Sequence, residues 1–250
     1  MTYCLGVLLP AGLVLASDSR TNAGIDHIAT VRKLALFENP GKAVITVLSA
    51  GNLATTQAVV TIIKQNLDTA DVARDLFTMG SMFEVAQTVG TVLREVLARD
   101  GEAVRPFGDP GASFLIGGQI QGEPPRLFQI YTAGNFIEAA ARNPFLQIGE
   151  TKYGKPILDR AIRDELSLGA AAKLALLSFD ATIRSNLSVG PPIDMLCYEA
   201  DSFSIKNLSK YTEDDPYLAE LRKTYGAGLL DVVSRLPEPP LANRDGPMRD

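Results

Sequence analysis

The chain has 250 residues, of which 46% are apolar and 21% charged, and a net charge of -5. That balance suits a globular protein with a sizeable core, and no run of about 18 apolar residues is present to span a membrane. A single histidine (His27), two distant cysteines (Cys4 and Cys197), and the absence of CxxC, G-x-S-x-G, P-loop and GxGxxG patterns argue against a multi-histidine metal site, a histidine-based serine triad and a phosphate-cradling loop.

Two strands are predicted at residues 2–9 and 12–17, joined by the tight turn Pro10-Ala11-Gly12. The polar stretch Ser17 to Gly24 closes the second. A further hairpin, 33–38 with 43–49, turns at Asn39-Pro40-Gly41-Lys42, and its apolar second arm predicts burial on both faces. Apolar residues near a 3.6 period predict helices over 52–67 and 82–98, the latter ending at Asp100-Gly101. Strands follow at 112–120, 127–132 and 136–140. Helices are expected at 151–165 and 168–186, strands at 194–200 and 203–210, and a last helix over 215–235, capped by Glu213-Asp214-Asp215 before Pro216. This order predicts an α+β fold of two antiparallel sheets, each covered by a helix pair. Cys4 and Cys197 are expected as buried free thiols.

The chemistry centres on Thr2. A small residue after the initiator methionine allows Met1 to be removed, which leaves a hydroxyl and a free α-amine on one residue, a compact nucleophile and base. Threonine is also common there and favoured in strands, so Thr2 needs partners. Asp18 ends the strand paired to that of Thr2, and Lys33 opens the next strand. A carboxylate holding a lysine beside a nucleophile is sensible base chemistry. Spacing alone favours an ordinary surface ion pair.

With Thr2, Asp18-Ser19-Arg20-Thr21 and Lys33 in view, the chain resembles the proteasome β-type subunits and their bacterial relatives. Its opening Met-Thr-Tyr-Cys-Leu-Gly and the later Ala-Ser-Asp-Ser-Arg-Thr-Asn-Ala-Gly-Ile-Asp-His are most similar to the Anbu (ancestral β-subunit) branch. The resemblance implies a four-layer αββα sandwich of the N-terminal nucleophile hydrolases, over residues 1–236, with 237–250 an extended tail. It implies a threonine-type peptidase or amide hydrolase in which Thr2, Asp18 and Lys33 are catalytic. Gly51, in Ser49-Ala50-Gly51-Asn52, would supply the oxyanion N–H, although a simple strand-to-helix turn also accounts for a glycine there. Arg20 is a supporting residue and Asn22 a substrate contact. The sequence departs from the family pattern at two supporting positions. Glu150 stands where a serine is usual, and Ser185 replaces an aspartate three residues before the retained Ser188; Glu150 is expected to restore the missing charge. His27 is expected in an exposed turn and Met79–Met82 in core or interface.

The expected partners are a peptide or amide substrate, further copies of the chain in a ring or helical homo-oligomer, and an unidentified regulator. No cofactor, metal, nucleic acid or membrane is expected, and the expected location is cytoplasmic. The alternatives are a catalytically degenerate scaffold and a narrow amidase for small γ-glutamyl-type amides.

Overall fold

The computed structural model describes residues 1–22, 28–67 and 74–239. His27 and the tail beyond residue 239 lie outside the described residues. Two compact units emerge, Met1–Glu213 and Asp214–Asp250.

The first unit contains two five-stranded antiparallel sheets. One has the order β10-β1-β2-β11-β12, formed by Phe145–Gly149, Tyr3–Leu9, Gly12–Asp18, Ile193–Glu199 and Asn207–Tyr211. The other runs β5-β6-β7-β8-β9, through Leu34–Asn39, Ala43–Gly51, Ala112–Ile120, Arg126–Ile130 and Phe136–Glu138. A two-stranded ribbon, β3 (Arg20–Asn22) with β4 (Ile28–Thr30), extends past the end of β2.

Strand alternation builds the layers. On β6, Ile45 and Val47 turn outward to α1 (Leu53–Gln65) and α2 (Met82–Val104), where they meet Val59, Ile63, Val89 and Leu93. Val44 and Leu48 turn inward, onto Leu13, Leu15, Leu146 and Leu196 of the facing sheet. This β6 strand is buried on both faces, as its apolar run predicted. The sheet that contains β1 is covered by α3 (Lys155–Ala161) and α4 (Leu168–Ser185); Tyr3 of β1 packs tilted on Phe179 of α4, with ring centroids 4.5 Å apart. The result is the four-layer αββα sandwich. Both cysteines are free thiols, Cys4 buried and Cys197 half-buried.

Several elements differ from the predicted ones. Strand β10 was not anticipated: Phe145-Leu-Gln-Ile-Gly149 is short and buried on both faces, so it lacks the alternation that marks a strand. The ribbon β3–β4 and a 3-10 turn at Leu76–Thr78 were likewise missed. Helix α2 runs through Asp100-Gly101 to Val104, because a lone glycine costs only about 1 kcal/mol in a helix that is anchored elsewhere by core contacts. Helix α3 is shorter than predicted, starting after Gly154 with Pro156 in its first turn and ending at Ala161. Strand β12 begins at Asn207 rather than 203, since Asp201 and Phe203 take positive φ in the intervening turn.

The second unit holds α5 (Pro216–Arg235), where the Asp215 carboxylate accepts the Tyr217 N–H at 2.8 Å, the expected cap. Among the described residues, no helix is long and apolar enough to cross a membrane.

Candidate active site

The site lies where β1 begins and β2 ends. Antiparallel pairing of Cys4 with Ser17 brings Thr2 and Asp18 to the same end of the sheet. Thr2 is held through its backbone: its carbonyl accepts the Glu150 N–H at 2.7 Å. Gly149 makes that approach possible. It adopts φ +83°, and a Cβ there would stand 1.9 Å from the Thr2 oxygen. One residue on, the Tyr3 N–H donates to Asp18 Oδ1 at 3.0 Å.

Asp18 is fully buried and gathers three donors: Tyr3 N, Lys33 Nζ at 2.7 Å and Gly190 N at 3.3 Å. Burial pushes its carboxyl above the ordinary range, and the Lys33 charge and these donors oppose that rise. Lys33, only 8% exposed, also donates to the Arg20 carbonyl at 2.6 Å. Two of the three ammonium protons are thereby directed, and one remains. The pair is a buried one, not the surface pair that spacing alone suits.

Gly51 ends β6 at φ +112°, where a Cβ would lie 2.4 Å from the Gly111 oxygen, so the turn into α1 requires glycine. The Ser49 N–H donates to the Lys33 carbonyl, and by strand alternation the Gly51 N–H lies on the same edge of β6, past the start of β5. Asn52 then caps α1, accepting the Thr55 N–H at 3.2 Å.

Met1, Thr2, Lys33, Ser49, Gly51 and Gly149 all border one cavity of about 880 Å³. The expected nucleophile, lysine and oxyanion glycine therefore open onto a common space, with Asp18 behind the lysine. Met1 is 61% exposed at the rim.

The supporting residues divide. Glu150 is 4% exposed, and its Oε2 accepts the Asn186 side-chain N–H at 3.0 Å. Asn186 Oδ1 in turn accepts the Ser188 N–H at 2.9 Å. Ser185 instead ends α4 on the exposed side, one residue too early to join this cluster. Asn186, one residue beyond Ser185, is the side chain that meets Glu150, and sequence reasoning missed it; its one signal was its position just past a helix end, where an amide side chain readily turns back onto neighbouring groups. Arg20 donates to the Leu187 carbonyl at 2.9 Å and lies flat against Gly190, where a Cβ would fall 2.2 Å from its guanidinium carbon. It thus clamps the loop that delivers the Gly190 N–H to Asp18, a contact that sequence reasoning missed. Asn22 ends β3, paired with Ile28, beside Thr21 of the cavity wall.

Neighbouring groups that could compete are neutral. Burial pushes the Cys4 thiol far up, and Cys4 donates to the Ser49 carbonyl. The Tyr3 hydroxyl, between Ser178 at 2.5 Å and Gln147 at 2.6 Å, is pushed up to about 12 by burial. Among the described residues, no group of three or more His, Cys, Asp or Glu could hold a metal ion.

Comparison with known proteins agrees with this fold. The family model described as proteasome subunit matches residues 2–196. The chain is 25% identical over 193 residues to a proteasome subunit beta 2 of Pyrobaculum calidifontis, covering 77% of this chain and 86% of that one. Among solved structures, Anbu from Yersinia bercovieri is 48% identical with a TM-score of 0.89, covering 96% of this chain and 99% of that one. The helical assembly of the Anbu complex from Pseudomonas aeruginosa is 49% identical with a TM-score of 0.90 over 96% and 99% of the two chains.

Proposed function

This chain belongs to the proteasome subunit family, on its Anbu branch, and from that premise we propose that it is a threonine-type peptide or amide hydrolase whose nucleophile is Thr2, exposed by removal of Met1. The observation that carries the reading is the shared cavity. Thr2, Lys33 and Gly51 border it together, and Asp18 fixes the lysine from behind.

In the reaction, Thr2 Oγ attacks the substrate carbonyl and forms a C–O bond. Its proton passes to the freed Thr2 amine or to Lys33. An α-amine titrates at about 7.7–8.0, suited to a base near neutrality. The Gly51 N–H stabilises the tetrahedral oxyanion. The C–N bond then breaks as the leaving amine takes up the proton, and water hydrolyses the acyl ester to regenerate Thr2. Glu150, oriented by Asn186, supplies the negative charge near the amine that the family's aspartate normally provides. Arg20 and Ser188 hold the loop, and Asn22 meets substrate from the β3 side. Residues 1–236 act as the hydrolase domain, with the last residues a tail, in a cytoplasmic protein. Self-association follows the helical assembly of the Pseudomonas aeruginosa relative.

Intact-mass analysis and labelling by an epoxyketone or β-lactone test this. Met1-free protein should gain one label at Thr2 and hydrolyse part of a broad peptide and amide library, and Thr2→Ala should do neither. Retention of Met1 on cell-made protein ends the mechanism. Met1-free protein that resists every label supports the scaffold reading, to which the exposed Ser185 lends weight; turnover confined to small γ-glutamyl-type amides supports the amidase. Glu150→Gln should slow labelling, and an unchanged rate removes Glu150 from the mechanism.

A further inference from the structure

The cavity is longer than a site for one side chain needs. Leu53, Gln57, Val60 and Lys64 border it at i, i+4, i+7 and i+11, one face of α1. At 1.5 Å per residue, Leu53 and Lys64 are roughly 16 Å apart along the helix, the span of about five residues of extended peptide. Leu53 is two residues from Gly51, so the Lys64 end lies away from the reacting centre. Between the ends the walls are mainly apolar, with Leu34, Leu36 and Val60.

The charge of the lining is one-sided. Arg32, Lys33 and Lys64 border the cavity, and no Asp or Glu of the described residues does, in a chain whose net charge is -5. Lys33 is committed to Asp18. Arg32 and Lys64 are exposed and form no ion pair among the described residues. A cleft lined by one sign of charge concentrates ligands of the other sign. An apolar floor between two free cations fits a segment with an apolar side chain and a carboxylate beyond it.

Building on the hydrolase reading, we propose that this cavity selects acidic peptide segments, seating an apolar side chain on Leu34, Leu36 and Val60 and a carboxylate on Lys64, and that it disfavours basic ones. The selective feature is the distal lysine, far from the nucleophile, so the preference extends several residues along the substrate. Exposed charge pairs are modest individually, so the preference is a bias of about fivefold per carboxylate. It weakens as salt rises.

Two measurements keep this separable from the hydrolase reading. Fluorescent peptides of equal length, alike except for Glu, Gln or Lys at successive positions, are titrated by anisotropy against Thr2→Ala protein. The same panel is then assayed for turnover by Met1-free wild type. Expected is tighter binding and faster turnover of the Glu series at low salt, shrinking in high salt, with the order inverted in Lys64→Glu. Equal or better use of the Lys series, or a Glu preference untouched by Lys64→Glu, overturns the inference even where hydrolysis is robust. A Glu preference in binding without turnover supports it while the hydrolase reading fails.

Discussion

Both ends of the strand sandwich are tied across the two sheets by buried polar side chains, but with different chemistry. At one end Lys33, leading into β5, reaches Asp18 at the end of β2. At the other, Gln119 of β7 meets Tyr198 of β11. The Gln119 amide is complete: its oxygen accepts from the Tyr198 hydroxyl at 2.7 Å and the Asp201 N–H at 2.8 Å, and its nitrogen donates to the Glu123 carbonyl and Asp201 carboxylate. No capacity is left over, and the group serves only to pin the sheets together. The Asp18 end is charged, keeps an unused lysine proton, and opens onto a cavity. A fully satisfied network closes a sandwich; an ion pair with one direction unspent leaves a place for a reaction.

Substitutions at the two ends should separate these roles. Asp18→Asn should have the largest effect. It strands the Lys33 ammonium, costs about 3–5 kcal/mol of stability, measurable by denaturant unfolding, and brings peptide turnover to background. Retained turnover with a lowered midpoint would make Asp18 a structural residue like Gln119. Gly51→Ala comes next. Its added methyl group meets the Gly111 carbonyl at a backbone angle that alanine resists, which should cost about 1–3 kcal/mol and lower kcat on the order of 100-fold.

Third is an alkaline effect at Tyr3. Its folded pKa, about 12, lies above the ordinary 10.0. The stability it contributes is therefore present in full below pH 10 and is lost as pH climbs toward 12, by roughly 2–3 kcal/mol in all. Unfolding free energies measured across that window should fall more gently in Tyr3→Phe. Smallest is Tyr198→Phe at the closed end, which deprives Gln119 of one donor and the Phe203 N–H of its acceptor. It should cost about 1–2 kcal/mol and leave turnover unchanged; a loss of turnover would show that the two ends are coupled.

The open end was far more legible in sequence than the closed one. Thr2, Asp18, Lys33 and Gly51 sit at element boundaries, where strand and turn signals are strongest, and their residue types match a known chemistry. Gln119 lies about 80 residues from Tyr198 and Asp201 in chain order, joined to them only by the stacking of the sheets, and nothing local marks the three. The same limit explains β10, whose pairing with β1 joins Tyr3 to Gly149 across most of the chain. It also explains Asn186 and the Arg20 clamp, since each depends on which way one loop turns.

The grip on Thr2 has a consequence for the order of events in the life of the protein. Thr2 is held by its carbonyl oxygen, and Tyr3 by its amide, so neither bond uses an atom that changes when the Met1–Thr2 peptide bond is cut. Trimming would then convert a planar amide nitrogen into a basic amine without moving the residue that carries it. If Met1 is removed as proposed, maturation is a change in proton affinity at a fixed address, and a precursor should superpose on its trimmed product. On the proposed mechanism, the fold can be finished before the chemistry is switched on.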